Sequence, residues 1–251
     1  MRARKGTSLL ARKAGEVKRY RQEKKIVPLV MLCLALVTVI VYVISLLYTR
    51  FGSFTIGVNK YHSLNYGLSL CDNKGLNNQT SNLNCRASQV ITNIDGKSLD
   101  DIPLGVNDGV DNGENYLCYT FYCVNSGKEV VDFEYSINIV KMTMNIEKAV
   151  RIREYSQLND GARTKVDYAA PKGIVEETGE VIPEEGTTPF KDKSVVFLKT
   201  VKDFKPNEIM KYTVVIWLEG NDPDCVDNII GGEFKVDMKF NVISFGDQKV
   251  S

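Results

Sequence analysis

Four carboxylates, Glu219, Asp222, Asp224 and Asp227, crowd the stretch WLEGNDPDCVDN, and Asp108, Asp111 and Glu114 crowd NDGVDNGEN. Loops of this composition supply the six to eight oxygen ligands that calcium takes. Neither group has the fixed offsets of an EF-hand, which ends on a glutamate at its twelfth position. Three readings follow: acidic turns kept soluble by charge, a weak calcium site at 219–227, and paired catalytic carboxylates. Other chemistry has little to work with. His62 is the only histidine, so a site with two His ligands, including His-Glu-x-x-His, is excluded. No Gly-x-Ser-x-Gly elbow, phosphate loop or dinucleotide fingerprint occurs. His62 itself, in Lys60-Tyr61-His62-Ser63, reads as a solvated loop residue.

The six cysteines carry the remaining covalent options. Cys33 lies in an apolar run and reads as a small apolar residue there. Five remain, Cys71, Cys85, Cys118, Cys123 and Cys225, so disulfides would leave at least one thiol over. Cys71 and Cys85 bracket DNKGLNNQTSNLN. A bridge there would close a loop of about fifteen residues and contribute ~3 kcal/mol on the chain-entropy estimate. Cys118 and Cys123 share an apparent strand, roughly 16 Å apart at the usual rise and on opposite faces. One of them is then a candidate partner for Cys225. Zinc is a poor reading without a Cys-x-x-Cys pair and with one histidine.

What positions these residues starts at the N-terminus. Residues 26–49, IVPLVMLCLALVTVIVYVISLLYT, contain no charge. That length is sufficient to cross a hydrocarbon core of about 30 Å as a helix. Of 32 Lys/Arg and 31 Asp/Glu, ten and two fall within residues 1–25, a net of +8. The rest of the chain is −7, so the near-neutral total of +1 hides two oppositely charged parts. The basic flank predicts a cytoplasmic tail (1–25), a signal anchor (26–49) and an extracellular domain (50–251). TRFGS offers no Ala-x-Ala site. An uncleaved anchor is therefore expected, with cleavage near Ser45–Ser53 as the alternative. The tail's expected partner is membrane lipid. Nucleic acid is not expected, because topology accounts for the charge and only Tyr20 is interleaved.

Beyond the anchor, period-2 alternation predicts strands at Ser53–Asn59, Tyr66–Cys71, Tyr116–Val124, Val131–Val140, Met210–Leu218 and Phe234–Val242. AVRIREYSQ and ARTKVDYA flank Leu158-Asn159-Asp160-Gly161, a hairpin whose Asp-Gly pair tolerates positive φ. Lys205-Pro206-Asn207-Glu208 predicts a second turn. Gly96–Asn115 and Pro171–Pro189 are acidic and Gly- or Pro-punctuated, and are expected as flexible loops that pack poorly. Some nine strands with little helix predict a single all-β domain, a β-sandwich.

The succession of a basic tail and export segment, FGSFTIG, ENYLCYTFYCVNSGKEVVDFEYSI, EKAVRIREY…ARTKVDYA and KPNEIMKYTVVIWLEGNDPDCVDNIIGGEFKVDMKF resembles the exported surface and matrix proteins of Gram-positive bacteria related to camelysin and TasA. The resemblance implies a jelly-roll-like β-sandwich and, for some members, extracellular fibres built by donating an N-terminal strand to the next subunit. It also raises a camelysin-like protease activity, for which no catalytic motif can be placed on this chain.

The leading expectation is a non-enzymatic, membrane-anchored surface protein acting by contact with other surface proteins or copies of itself, in a matrix or envelope assembly. The candidate assembly strand is Ser53, Phe54, Thr55, Ile56, Gly57, Val58 and Asn59, because an added strand pairs through main-chain N–H and C=O groups. The alternatives are a calcium- or ligand-binding surface module and a surface hydrolase working through carboxylates. No cofactor beyond calcium is expected.

Overall fold

The computed structural model describes residues 27–42, 54–85, 91–246 and 248–250. The chain divides into two compact units, Met1–Phe51 and Gly52–Ser251. In the first, residues 27–42 form helix α1, where the Thr38 hydroxyl donates to the Ala35 carbonyl at 2.8 Å. Among the described residues no helix is long and apolar enough to cross a membrane. Ile26 and residues 43–49 of the expected span, and the basic tail 1–25, lie outside the described residues.

The second unit is all-β. Its strands are β1 (Phe54–Val58), β2 (Leu68–Cys71), β3 (Asn82–Cys85), β4 (Asn93–Ile94), β5 (Gly109–Val110), β6 (Tyr116–Asn125), β7 (Val131–Met142) and β8 (Val150–Leu158). There follow β9 (Thr164–Ala169), β10 (Gly173–Ile174), β11 (Val181–Ile182), β12 (Thr188–Pro189), β13 (Val195–Phe204), β14 (Ile209–Glu219), β15 (Phe234–Phe245) and β16 (Gln248–Lys249). One short α-helix, α2 (Lys60–Tyr66), joins β1 to β2.

Two mixed sheets carry the fold. The first runs β13-β7-β15-β1-β3, and the second β12-β9-β8-β14-β6-β2. Alternation in each long strand sends one side-chain set inward. Phe133, Tyr135 and Ile137 come from β7, Val236, Met238 and Phe240 from β15, and Tyr212 and Val214 from β14, all in one core. Aromatic rings join the two sheets: Phe121 meets Phe240 edge-on at 6.1 Å, and Tyr135 meets Tyr212 at 5.1 Å. Such pairs each add about 0.5–1.5 kcal/mol beyond area burial. β6 is buried on both faces, as its unbroken apolar run predicts. Cys123 faces the main core, whereas Cys118 faces a second cluster with Leu99, Leu104, Val215 and Trp217.

Three expectations are corrected. Tyr66 does not start a strand: residues 60–66 turn into α2 because the Asn59 side chain caps Tyr61 N at 3.0 Å and Gly67 closes the helix at φ 75°. A side chain at Gly67 would also strike Gly127, with a Cβ only 2.3 Å from its nitrogen. Gly96–Asn115 does pack: Leu99 and Leu104 are buried on the outer face of the second sheet. In the β8–β9 hairpin, positive φ falls on Asn159 at 49°, rather than on Asp160–Gly161. The 205–208 turn forms as expected, with Glu208 N donating to Lys205 O at 3.1 Å and Asn207 at φ 65°.

Candidate functional site

Two places gather the residues that could act: the slot filled by β1, and a charged cleft on the second sheet. β1 lies between β15, to which it is parallel, and β3, to which it is antiparallel. Phe54 is opposite Val236 and Val58 opposite Phe240 on one side, and Phe54 is opposite Cys85 on the other. Phe54, Ile56 and Val58 are buried in the core, while Thr55 and Gly57 face outward and are half-buried. The chain leaving β1 is pinned. Asn59 N donates to Phe240 O at 3.4 Å. Val242 N donates to His62 Nδ1 at 3.1 Å, and Tyr66 packs on Phe245 at 5.0 Å. His62 is therefore a strand latch rather than a solvated loop residue, and burial pushes its pKa below the ordinary value. Of the candidate assembly residues, Phe54–Val58 form the strand, Asn59 caps α2, and Ser53 lies outside the described residues.

The cleft holds about 450 Å³ and is walled by β8, β9, the end of β14 and the loops at 95–100, 184–187 and 221–223. Two arginines, Arg151 and Arg153, project into it from β8, with Trp217 beside them. Alternation explains their shared face, since they are two residues apart on one strand. Arg151 pairs with Asp222, and both side chains are buried. Arg153 makes a bidentate bond to Asp167 at 2.7 and 2.8 Å, reaches Asp100 at 2.7 Å, and lies 5.4 Å from the Trp217 ring. Lys165 binds the same Asp100 at 2.5 Å, and this bond chiefly holds the Asp100 carboxyl below its ordinary pKa. Glu219 accepts from Gly96 N at 3.1 Å and from Trp217 Nε1 at 3.1 Å.

No family model matches this chain, and no curated protein or solved structure does.

Of the four carboxylates singled out for calcium, Asp222 turns to Arg151, Asp224 to Lys148 at 3.7 Å, and Glu219 to Gly96 and Trp217, while Asp227 begins a short 3-10 turn. Among the described residues no group of three or more His, Cys, Asp or Glu is arranged to hold a metal ion. A hydrolase needs a protonated carboxyl poised near neutrality, one whose pKa its surroundings raise. Asp100 is instead held below its ordinary pKa, chiefly by Lys165, while Asp167 and Asp222 are paired with arginines and Glu219 accepts from N–H donors.

The cysteines are free thiols. Cys71 ends β2 and donates to Asn77 O at 2.8 Å, while Cys85 ends β3. Cys85 Sγ and Cys118 N both contact Asn112 Oδ1, at 3.9 and 2.9 Å. Burial raises the thiol of each to about 12, assisted by Cys118 at Cys85 and by Asp111 at Cys118. Burial alone raises Cys123. High pKa values keep these groups as weakly nucleophilic thiols. Cys225 is half-buried in the 220–226 loop.

Sequence reasoning passed over Arg151, Arg153 and Glu154. Its available signal was the Arg-x-Arg alternation in AVRIREYSQ, with Glu154 in the opposite phase. Glu154 points into the core, fully buried, where Tyr135 OH donates to it at 3.0 Å and Lys199 of the other sheet pairs with it.

Proposed function

We propose that this chain is a membrane-anchored, extracellular, jelly-roll-like β-sandwich that works by protein contact, as a subunit of a surface or matrix assembly related to the camelysin/TasA group. Residues 1–25 form its cytoplasmic tail, 26–49 its anchor and 50–251 its extracellular domain. The observation that carries this reading is the position of β1. It is the first strand after the apolar run among the described residues, yet it fills a slot between β15 and β3. A strand that opens its domain can leave such a slot while the other strands keep their connections. The vacated slot exposes N–H and C=O groups of two strands at once, which an identical strand from a neighbouring copy can satisfy. The three buried side chains Phe54, Ile56 and Val58 then supply affinity and register.

The engaged state of the cleft carboxylates favours this reading over a hydrolase. Deleting residues 53–59 from the full chain tests it. Assemblies extracted from membranes should shrink to single subunits, and an unchanged size distribution rules out strand donation. The cleft favours a second reading, a ligand-binding surface module. There Arg151, Arg153 and Trp217 would meet a polar ligand, and Arg153→Met would abolish any ligand-induced rise in melting temperature.

A further inference from the structure

The molecule exposes large apolar side chains at one end of the first sheet that the slot and the cleft do not use. Val140 is 62% exposed, Met144 55% and Ile230 73%, with Met142 beside them. Val140 is the extra residue at a register shift between β7 and β15, where Lys235 opposes Lys141 but Val236 opposes Ile139. Met144 and Asn145 take consecutive positive φ angles of 58° and 55°, a costly conformation for residues with a Cβ. Thr143 holds this turn to the neighbouring loop: its N donates to Glu233 O at 3.0 Å, and Glu233 N donates to its Oγ1 at 2.8 Å. Beneath, Ile146 and Ile229 are buried, and a Cβ on Gly232 would sit 3.1 Å from Ile146. Two closely packed loops thus present Met144 and Ile230 to the outside.

The reach of the chain says what covers this end. β1 runs parallel to β15 with Phe54 opposite Val236, and Phe234 is opposite Met142. The chain therefore enters the sheet at the end that carries the exposed residues. Four residues lie between Thr49 and Phe54, so the five steps from one to the other span at most about 17 Å when fully extended. Exposed Tyr61 and Leu64 lie past the other end of β1, roughly 15 Å further along at the usual rise. Charges around the patch are of both signs: Lys141 pairs with Glu233 and Lys148 with Asp224, and Lys235, Glu147 and Asp227 stand nearby. Attraction through this end is therefore apolar rather than aimed at anionic headgroups.

We propose that Val140, Met142, Met144 and Ile230 form a lipid-docking tip that inserts shallowly into the outer surface of the bilayer. The inference rests on the reading of residues 26–49 as an anchor. Unbranched, polarizable methionines suit a mobile lipid interface.

The test uses the full chain in phosphatidylcholine vesicles, with and without brominated acyl chains. Flotation after an alkaline wash is read first. The emission of Met144→Trp, Ile230→Trp and Leu64→Trp is then compared with that of the parent, which retains Trp217. Brominated lipid should quench the added emission at 144 and 230, and spare it at 64. A chain that floats with 144 and 230 unquenched overturns the docking tip and leaves the anchor standing. A chain that washes off overturns the anchor, and the tip with it. Emission that follows chain density without quenching assigns the patch to a second copy, and overturns the lipid reading.

Discussion

β1 and β13 belong to one sheet but meet their surroundings in opposite ways. β13 is a ten-residue outer strand with β7 on one side. Two register shifts bend it, Asp203 sits at φ 54°, and Lys199 and Lys202 stud it. Bulges and lysines discourage a further strand from adding there. At the opposite margin β3 is only four residues long. β1 is flanked on both sides and straight in register, yet is the first described strand of the second unit. The margins of this sheet are thus guarded or short, whereas the slot of β1 is long enough for specific pairing. For the proposed assembly, the comparison favours exchange at β1 over addition at an edge.

The largest expected effect strikes β13. Lys199 spans from the outer strand to the buried Glu154; burial lowers the lysine's pKa, but Glu154 and Tyr168 together raise it above its ordinary value. Lys199→Met leaves Glu154 uncompensated in the core, at a cost of about 3–5 kcal/mol. Urea unfolding should record that loss, while the double variant Lys199→Met/Glu154→Leu should recover most of it. Next comes β1. Ile56→Ala opens a cavity at a site 1% exposed and should cost about 2–4 kcal/mol. If β1 is exchanged, assembly in membranes weakens together with stability. A variant that loses stability but assembles at the parent concentration would break the comparison.

A smaller effect is expected on the second sheet. Arg153→Met removes a bidentate partner from Asp167, which retains some solvent, so about 1–3 kcal/mol should be lost. Assembly should be unaffected, which separates the cleft from the slot. The smallest concerns the latch after β1. Burial lowers the His62 pKa in the folded state, and its Nδ1 must be unprotonated to accept from Val242 N. Neutral His62 is thus favoured on folding, and its contribution is intact above the ordinary value of about 6.5. It is lost as pH falls through the depressed folded value. Melting temperature should drop more between pH 7 and pH 5 in the parent than in His62→Gln.

Much of this fold was legible in the sequence because a strand with one buried face must alternate. Phe54, Ile56 and Val58, the inward face of Val131–Val140 and the opposed Cys118 and Cys123 all follow from that period. What was not legible depends on partners far along the chain. The parallel pairing of β1 with β15 joins the first described strand to the last long one, and core packing, not local pattern, sets their register. The polar stretch 96–115 holds two leucines that matter, too few for any period to register. In AVRIREYSQ the alternating charges were visible, but not that Asp222, Asp167 and Lys199 would receive them. At 60–66 the caps Asn59 and Gly67 were present, and a strand reading of Tyr66 overrode them.

The proposed assembly requires β1 to be supplied in trans. Gly57 lies opposite Lys239 in the parallel pair, on the outward face of the sheet. A Cβ at Gly57 meets only the movable Asn82 side chain at 3.1 Å among close neighbours. Two differently tagged full-length chains, one Gly57→Cys and the other Lys239→Cys, can be co-expressed in membranes and oxidised. The account predicts a disulfide-linked heterodimer carrying both tags. It is contradicted if the two chains stay unlinked while a single chain bearing both substitutions closes its own bond.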